Sequence, residues 1–290
     1  VYKRQIHFGC MPPEKTNLLN EAVEVAKNSD AVILIVGTNS DWETEGNDRT
    51  DLSLPANQDT LIESILKANQ NTIIVLNSGS PVSMPWLDKS KAIIQSWFGG
   101  QEYGNSLTDI IFGKVNPSGK LPTAFPKRIE DTPAFGCYPG EHSQMDYEEK
   151  LLVGHRWYEK KNIKPLFPFG FGLSYTDFSF SNLEIIKNDN YNIECKFEIK
   201  NAGMMDGSEV AQCYVSFSNL TKDEPLKTLQ SFKKVFIKKG NTMELKLALN
   251  KRSFSYWDIQ EKNWIVRPGA YTISIGSSSE QIRLKKDILL

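Results

Sequence analysis

Residues 31–49 read AVILIVGTNSDWETEGNDR: an unbroken apolar run, then a loop with four acidic residues, one arginine and one glycine. The run AVILIVG (31–37) has the length and branched side chains of a strand buried on both faces, as in parallel sheets covered by helices. Working outward, LLNEAVEVAKN (18–28) places Leu18, Ala22, Val25 and Ala26 on one helical stripe before it. After it, PANQDTLIESILKAN (55–69) opens with proline at a helix start and presents Leu61, Ile62, Ile65 and Leu66 as an apolar face. NTIIVLNSG (71–79) and AIIQSW (92–97) read as two more strands, and EYGNSLTDIIFG (102–113) as a helix closed by glycine. Alternation of helix and strand with short loops predicts a mostly parallel sheet with flanking helices. In such sheets, functional groups gather on loops leaving the carboxyl ends of the strands, which is where DWETEGNDR (41–49) falls.

From about residue 173 the period becomes two. IECKFEI (193–199) sets Ile193, Cys195, Phe197 and Ile199 against charged residues; TMELKLAL (242–249) does so with Met243, Leu245, Leu247 and Leu249; AYTISIG (270–276) follows the same rule. About seven short strands punctuated by glycine and proline predict a small antiparallel β-sandwich. The expected division is 1–124 for the α/β sandwich domain, 125–172 for a loop-rich connecting segment packed on it, and 173–290 for the β-sandwich.

Composition narrows the function classes. The chain of 290 residues is 40% hydrophobic and 24% charged, and its 34 Lys and Arg against 35 Asp and Glu leave a net charge of −1. Such a balance offers no electrostatic grip on nucleic acid or an anionic membrane. No apolar run approaches the ~18 residues of a membrane span. The four cysteines and three histidines lack zinc-ligand spacing. Cys195 and Cys213 lie in strand-like runs and read as two buried thiols, or as a pair in an oxidising compartment. VGTNS after the first strand lacks a glycine-rich phosphate loop, and SGS (78–80) lacks the G-x-S-x-G setting of a nucleophilic serine. No cofactor is expected.

The acidic loop allows general acid/base chemistry if one carboxyl keeps a proton near neutral pH, through burial or a second carboxylate. Trp42 offers an apolar wall of the kind that raises the acid glutamate of lysozyme. Glu45, Glu43 and Asp41 compete for that role, and spacing does not rank them. Asp48 and Arg49 read as a structural brace of the loop.

Several long motifs then point one way. ETEGNDRTDLSLPANQ (43–58), SWFGGQEYGNSLTDIIFGKVNPSGKLPTAFPK (96–127), VGHRWYEKK (153–161) and PLFPFGFGLSYTDF (165–178) closely resemble the C-terminal half of glycoside hydrolase family 3 enzymes, above all the β-glucosidase branch. GSEVAQCYVS (207–216), PLKTLQSFKKVFIKKG (225–240) and WIVRPGAYTISIGSSS (264–279) resemble the fibronectin type III-like domain that closes many of them. The resemblance implies a barrel domain carrying an aspartate nucleophile, an α/β sandwich carrying the acid/base glutamate, and a retaining mechanism on β-linked glucosides or oligosaccharides. Transferred through the T-E-G-x-D-R motif, the acid/base falls on Glu45. Trp42 and Asn47 become candidate substrate-binding residues, Asn47 standing where relatives often carry tyrosine.

The barrel has no counterpart here, so the chain is expected to be the C-terminal part of a longer enzyme, inactive by itself and completed by that barrel in cis. β-Xylosidase or another family 3 specificity, and a non-catalytic carbohydrate- or protein-binding module, are the alternatives. Compartment stays open, with a periplasmic or extracellular location favoured over the cytoplasm, and a homo-oligomer is compatible with the sequence.

Overall fold

The computed structural model describes residues 16–46, 48–140, 142, 144–189 and 191–290. They form two compact units, the described residues up to 107 with 126–129, and 108–125 with the described residues of 130–290. The first carries helix α1 (Thr16–Lys27), strand β1 (Val32–Gly37), helix α2 (Gln58–Ala68), strands β2 (Thr72–Asn77) and β3 (Ala92–Gln95), and the start of helix α3 (Tyr103–Ile111). The strands pair in parallel in the order β1-β2-β3, with Leu34 beside Ile74 and Ile74 beside Ile93.

The core of this unit collects the inner faces of the predicted elements. Ile62, Ile65 and Leu66 of α2 are buried together with Ile74, Val75 and Leu76 of β2. Full burial of each such side chain contributes about 1.5–3 kcal/mol. Two expectations fail at the margins. Val25 is 43% exposed, and among the described side chains of α1 the buried one is Ala26. Ile33 and Ile35 are 47% and 56% exposed, so β1 is buried on one face only. Ile33 and Ile35 point to the same side of the strand, and among the described residues nothing covers β1 on that side.

The second unit is dominated by two antiparallel sheets, ordered β4-β5-β8 and β12-β11-β6-β7. Their strands are β4 (Phe178–Lys187), β5 (Ile193–Asn201), β6 (Gly207–Phe217), β7 (Thr228–Ile237), β8 (Thr242–Leu249), β11 (Ala270–Gly276) and β12 (Ile282–Leu289). A hairpin of β9 (Ser255–Asp258) and β10 (Asn263–Val266) adds a two-stranded ribbon. Period-two patterning appears directly in the core: Ile193, Cys195, Phe197 and Ile199 of β5 join Ala211, Cys213 and Val215 of β6 and Leu245, Leu247 and Leu249 of β8 in one cluster. Met243, at the start of β8, is 38% exposed and stays outside it. Cys195 and Cys213 are free buried thiols. The Tyr271 hydroxyl donates to the Arg267 carbonyl at 2.8 Å, the upstream bond of a tyrosine corner.

The described residues of 130–172 cluster with this second unit. Phe125 and Phe167 exchange backbone hydrogen bonds at 2.8–3.3 Å, and Ser279 N–H donates to the Phe169 carbonyl at 2.9 Å. Helix α4 (His155–Lys161) stacks His155 on Phe169 at 4.6 Å and pairs Glu159 with Lys227 of the β7 approach at 2.7 Å.

Candidate active site

Two loops leave the carboxyl edge of the parallel sheet side by side: 38–50 after β1 and 78–86 after β2. The first is pinned at its root. Gly37 N–H donates to Gln58 Oε1 at 2.8 Å, and Gln58 Nε2 donates to the Gly37 carbonyl at 2.8 Å and to the Pro55 carbonyl at 3.2 Å. Gln58 is 5% exposed, so the start of α2 holds the end of β1 through a buried carboxamide.

Further along, the acidic residues separate by environment. Glu43 Oε2 accepts from Thr38 Oγ1 at 2.9 Å and from Gly79 N–H at 2.8 Å. Glu43 Oε1 accepts from the Ser80 hydroxyl, and from Arg49 Nη1 at 3.5 Å. Burial pushes the Glu43 carboxyl up, but hydrogen bonds from Ser80, the Gly79 amide and Thr38, with the Arg49 charge, outweigh it and hold it below the ordinary carboxylate value. Asp41 is exposed and accepts from Asn39 Nδ2 at 3.3 Å. Glu45 is exposed and stands at the wall of an open cavity of about 400 Å³, shared with Trp42, Glu43, Arg49, Gly79 and Ser80.

Local sequence explains the shape. Gly46 has φ of +85°, a left-handed conformation that lets the chain turn immediately after Glu45. Gly79 brings its amide to Glu43 because it has no Cβ; one added there would stand 2.8 Å from Glu43 Oε2 and 2.7 Å from the Phe98 ring. Arg49 is tied down by Ser80 Oγ at 2.7 Å, the Pro81 carbonyl at 3.1 Å and the Ser53 carbonyl at 3.5 Å. Trp42 is half-buried, and its Nε1–H, like Arg49 Nε–H, is a buried donor without a partner among the described residues. A smaller cavity of about 130 Å³ lies between Asp41, Trp42, Asp48, Arg49 and Thr50.

Trp42, Glu45 and Arg49 therefore meet at one cavity, and Asp48 lies at its smaller neighbour with Arg49. Asn47 lies outside the described residues. Sequence reading gives no site role to Gln58, Thr38, Gly79 or Ser80, although it weighs SGS (78–80) as a nucleophile setting and sets it aside. SGS follows an apolar run as DWETEGNDR does, and in a parallel sheet two such loops come out at the same edge; that was the available signal. His155, among aromatic residues in sequence, is a packed histidine whose pKa falls to about 4 through burial and the nearby charges of Arg156 and Lys227.

An α/β unit with carboxylate-bearing loops at the sheet's carboxyl edge is followed by a seven-stranded β-sandwich. Comparison with known proteins names the family. Residues 12–175 match the glycosyl hydrolase family 3 C-terminal domain and residues 209–279 match the fibronectin type III-like domain. The chain belongs to glycosyl hydrolase family 3.

Thermostable beta-glucosidase B of Acetivibrio thermocellus is 42% identical over 93% of the chain and 36% of that relative. Beta-glucosidase B of Emericella nidulans is 40% identical over 97% of the chain and 35% of its own length. Among solved structures, the β-glucosidase of Bifidobacterium adolescentis superposes with a TM-score of 0.94 at 37% identity, covering 98% of this chain and 42% of that one. The Kluyveromyces marxianus β-glucosidase in complex with glucose gives 0.91 at 38% identity, covering 94% and 33%. The chain thus spans about a third of the length of the curated relatives it matches.

Proposed function

We propose that this chain is the C-terminal part of a retaining exo-β-glycosidase acting on β-glucosides, with Glu45 as general acid/base. One observation carries the reading. Two glutamates stand two residues apart, and they differ in what surrounds them: Glu43 is engaged by four donors, whereas Glu45 is exposed at the open cavity. A proton donor must reach the substrate, and a carboxylate filled by protein donors cannot.

In the first step the Glu45 carboxyl gives its proton to the glycosidic oxygen as the C1–O bond breaks, while an aspartate of the N-terminal barrel attacks C1. In the second, the Glu45 carboxylate takes a proton from water, whose oxygen displaces the aspartate from C1. Retention requires the two carboxyl groups about 5–5.5 Å apart, so the barrel must close over the cavity edge. The orphan donors of Trp42 and Arg49 support a site finished by a further surface, since buried N–H groups are nearly always paired. Trp42 forms part of the wall facing the substrate, and Asp48 with Arg49 braces the loop.

In the complete protein, Glu45→Ala is expected to slow glucosides with poor leaving groups most, by about 10²–10⁴-fold. Wild-type turnover of such substrates by the variant overturns the assignment. The 290 residues alone are expected to leave an aryl β-glucoside intact, and measurable turnover by them contradicts the need for a barrel.

A further inference from the structure

We propose that Glu43 is the positioning residue of this site, a carboxylate anchor that sets where Glu45 stands without itself exchanging a proton with substrate. The inference rests on the reading of Glu45 as acid/base.

The geometry is one of saturation. A carboxylate offers about four lone-pair directions. On Glu43, Oε2 accepts from Thr38 Oγ1 and Gly79 N–H, and Oε1 accepts from Ser80 Oγ and, at 3.5 Å, from Arg49 Nη1, which shares its two protons with Ser80 and the Pro81 carbonyl. Little acceptor capacity remains for a substrate hydroxyl, and a carboxylate so engaged carries no proton for a glycosidic oxygen. The Ser80 hydroxyl has its orientation set as well. Its oxygen accepts from Arg49 Nη1 at 2.7 Å, which leaves its single proton for Glu43. Glu43 is only 13% exposed, so these bonds work with little competition from water.

The four donors come from different places. Thr38 lies at the root of the first loop and Arg49 near its far end, whereas Gly79 and Ser80 belong to the loop after β2. Glu43 therefore cross-links the acid/base loop at both ends and to its neighbour. Glu45 is separated from this anchor by Thr44 alone, and Gly46 turns the chain directly after it. A shift of the anchor moves Glu45 with it. Displacement of a reacting group by about 1 Å can cost 10²-fold in rate.

Glu43→Gln in the complete protein tests the idea. The amide keeps the shape, yet its NH₂ must face either the Gly79 amide or the Arg49 guanidinium, neither of which can reverse its donor. The expected result is a loss of about 10²-fold in kcat with KM nearly unchanged. Both limbs of the pH–rate profile should persist and added azide should have no effect, because Glu45 still occupies the acid/base position. Ser80→Ala, which removes a single donor, should give the same pattern at a several-fold loss, and it decides the matter if Glu43→Gln does not fold. Wild-type kcat in the folded variants overturns the proposal. Azide rescue with loss of the basic limb in Glu43→Gln also overturns it, by making Glu43 a catalytic residue. If instead Glu45→Ala is fully active while Glu43→Gln is impaired without rescue, the acid/base assignment is what has failed.

Discussion

Gln58 and Gly37 close a two-bond ring: the glycine amide donates to Oε1 and the glycine carbonyl accepts from Nε2, both at 2.8 Å. A side chain on α2 thus takes over backbone pairing where β1 ends and the acidic loop begins. Gln58→Leu keeps the bulk and leaves both Gly37 groups without partners in a partly buried place. Its expected cost is about 3 kcal/mol, at roughly 1–3 kcal/mol for each buried group left unsatisfied. Urea unfolding followed by tryptophan fluorescence measures it, and an unchanged midpoint contradicts the clamp.

Lys227 and Glu159 form an ion pair at 2.7 Å with only 18% and 11% of their side chains exposed. Burial dominates over the lysine and raises the Glu159 carboxyl. Lys227→Met strands that carboxylate, at a cost of about 3 kcal/mol at neutral pH. Adding Glu159→Leu should recover much of the loss. Thermal unfolding of the single and double variants decides this; additive losses contradict it.

His155 gives a pH dependence of defined sign. Its value is about 4 in the folded chain, lowered by burial first and then by the charges of Arg156 and Lys227. In an unfolded chain it lies near ~6.5. Between these values the unfolded state binds the extra proton, so stability is complete above pH ~6.5 and falls as pH drops toward 4, by up to about 3 kcal/mol. His155→Phe, which preserves stacking on Phe169, should flatten unfolding free energy against pH across that window relative to the parent. Equal slopes in the two proteins contradict the assignment.

In the β-sandwich, Phe197 is fully buried and stacks against Phe180 with centroids 6.3 Å apart. Phe197→Ala is expected to destabilise this unit by about 3–5 kcal/mol, read from denaturant unfolding. A cost below about 1 kcal/mol means that this part of the core is not closed.

These residues also mark how far sequence alone reached. Period-two stretches such as IECKFEI were readable because one face is buried and the other is wet, and alternation reports that contrast. AVILIVG carries no such contrast, so a strand with Ile33 and Ile35 exposed looked the same as one buried on both faces. In the acidic loop, spacing left Asp41, Glu43 and Glu45 unranked. What distinguishes them is the set of donors around Glu43, and two of the four come from residues 79 and 80, more than thirty positions away. Resemblance selected Glu45 by its place before glycine, but no motif announces that Gln58 and Ser80 take part. Long-range polar contacts leave no period in a sequence.

The most direct test of the account is azide trapping with Glu45→Ala in the complete protein. An activated aryl β-glucoside should still form the glycosyl–aspartate intermediate, because its leaving group needs no proton. Azide, needing no general base, should then enter the space vacated by the carboxylate. The predicted result is restored turnover with β-glucosyl azide as product. Wild-type hydrolysis without azide, or an impaired variant that forms no azide adduct, would contradict the role assigned to Glu45.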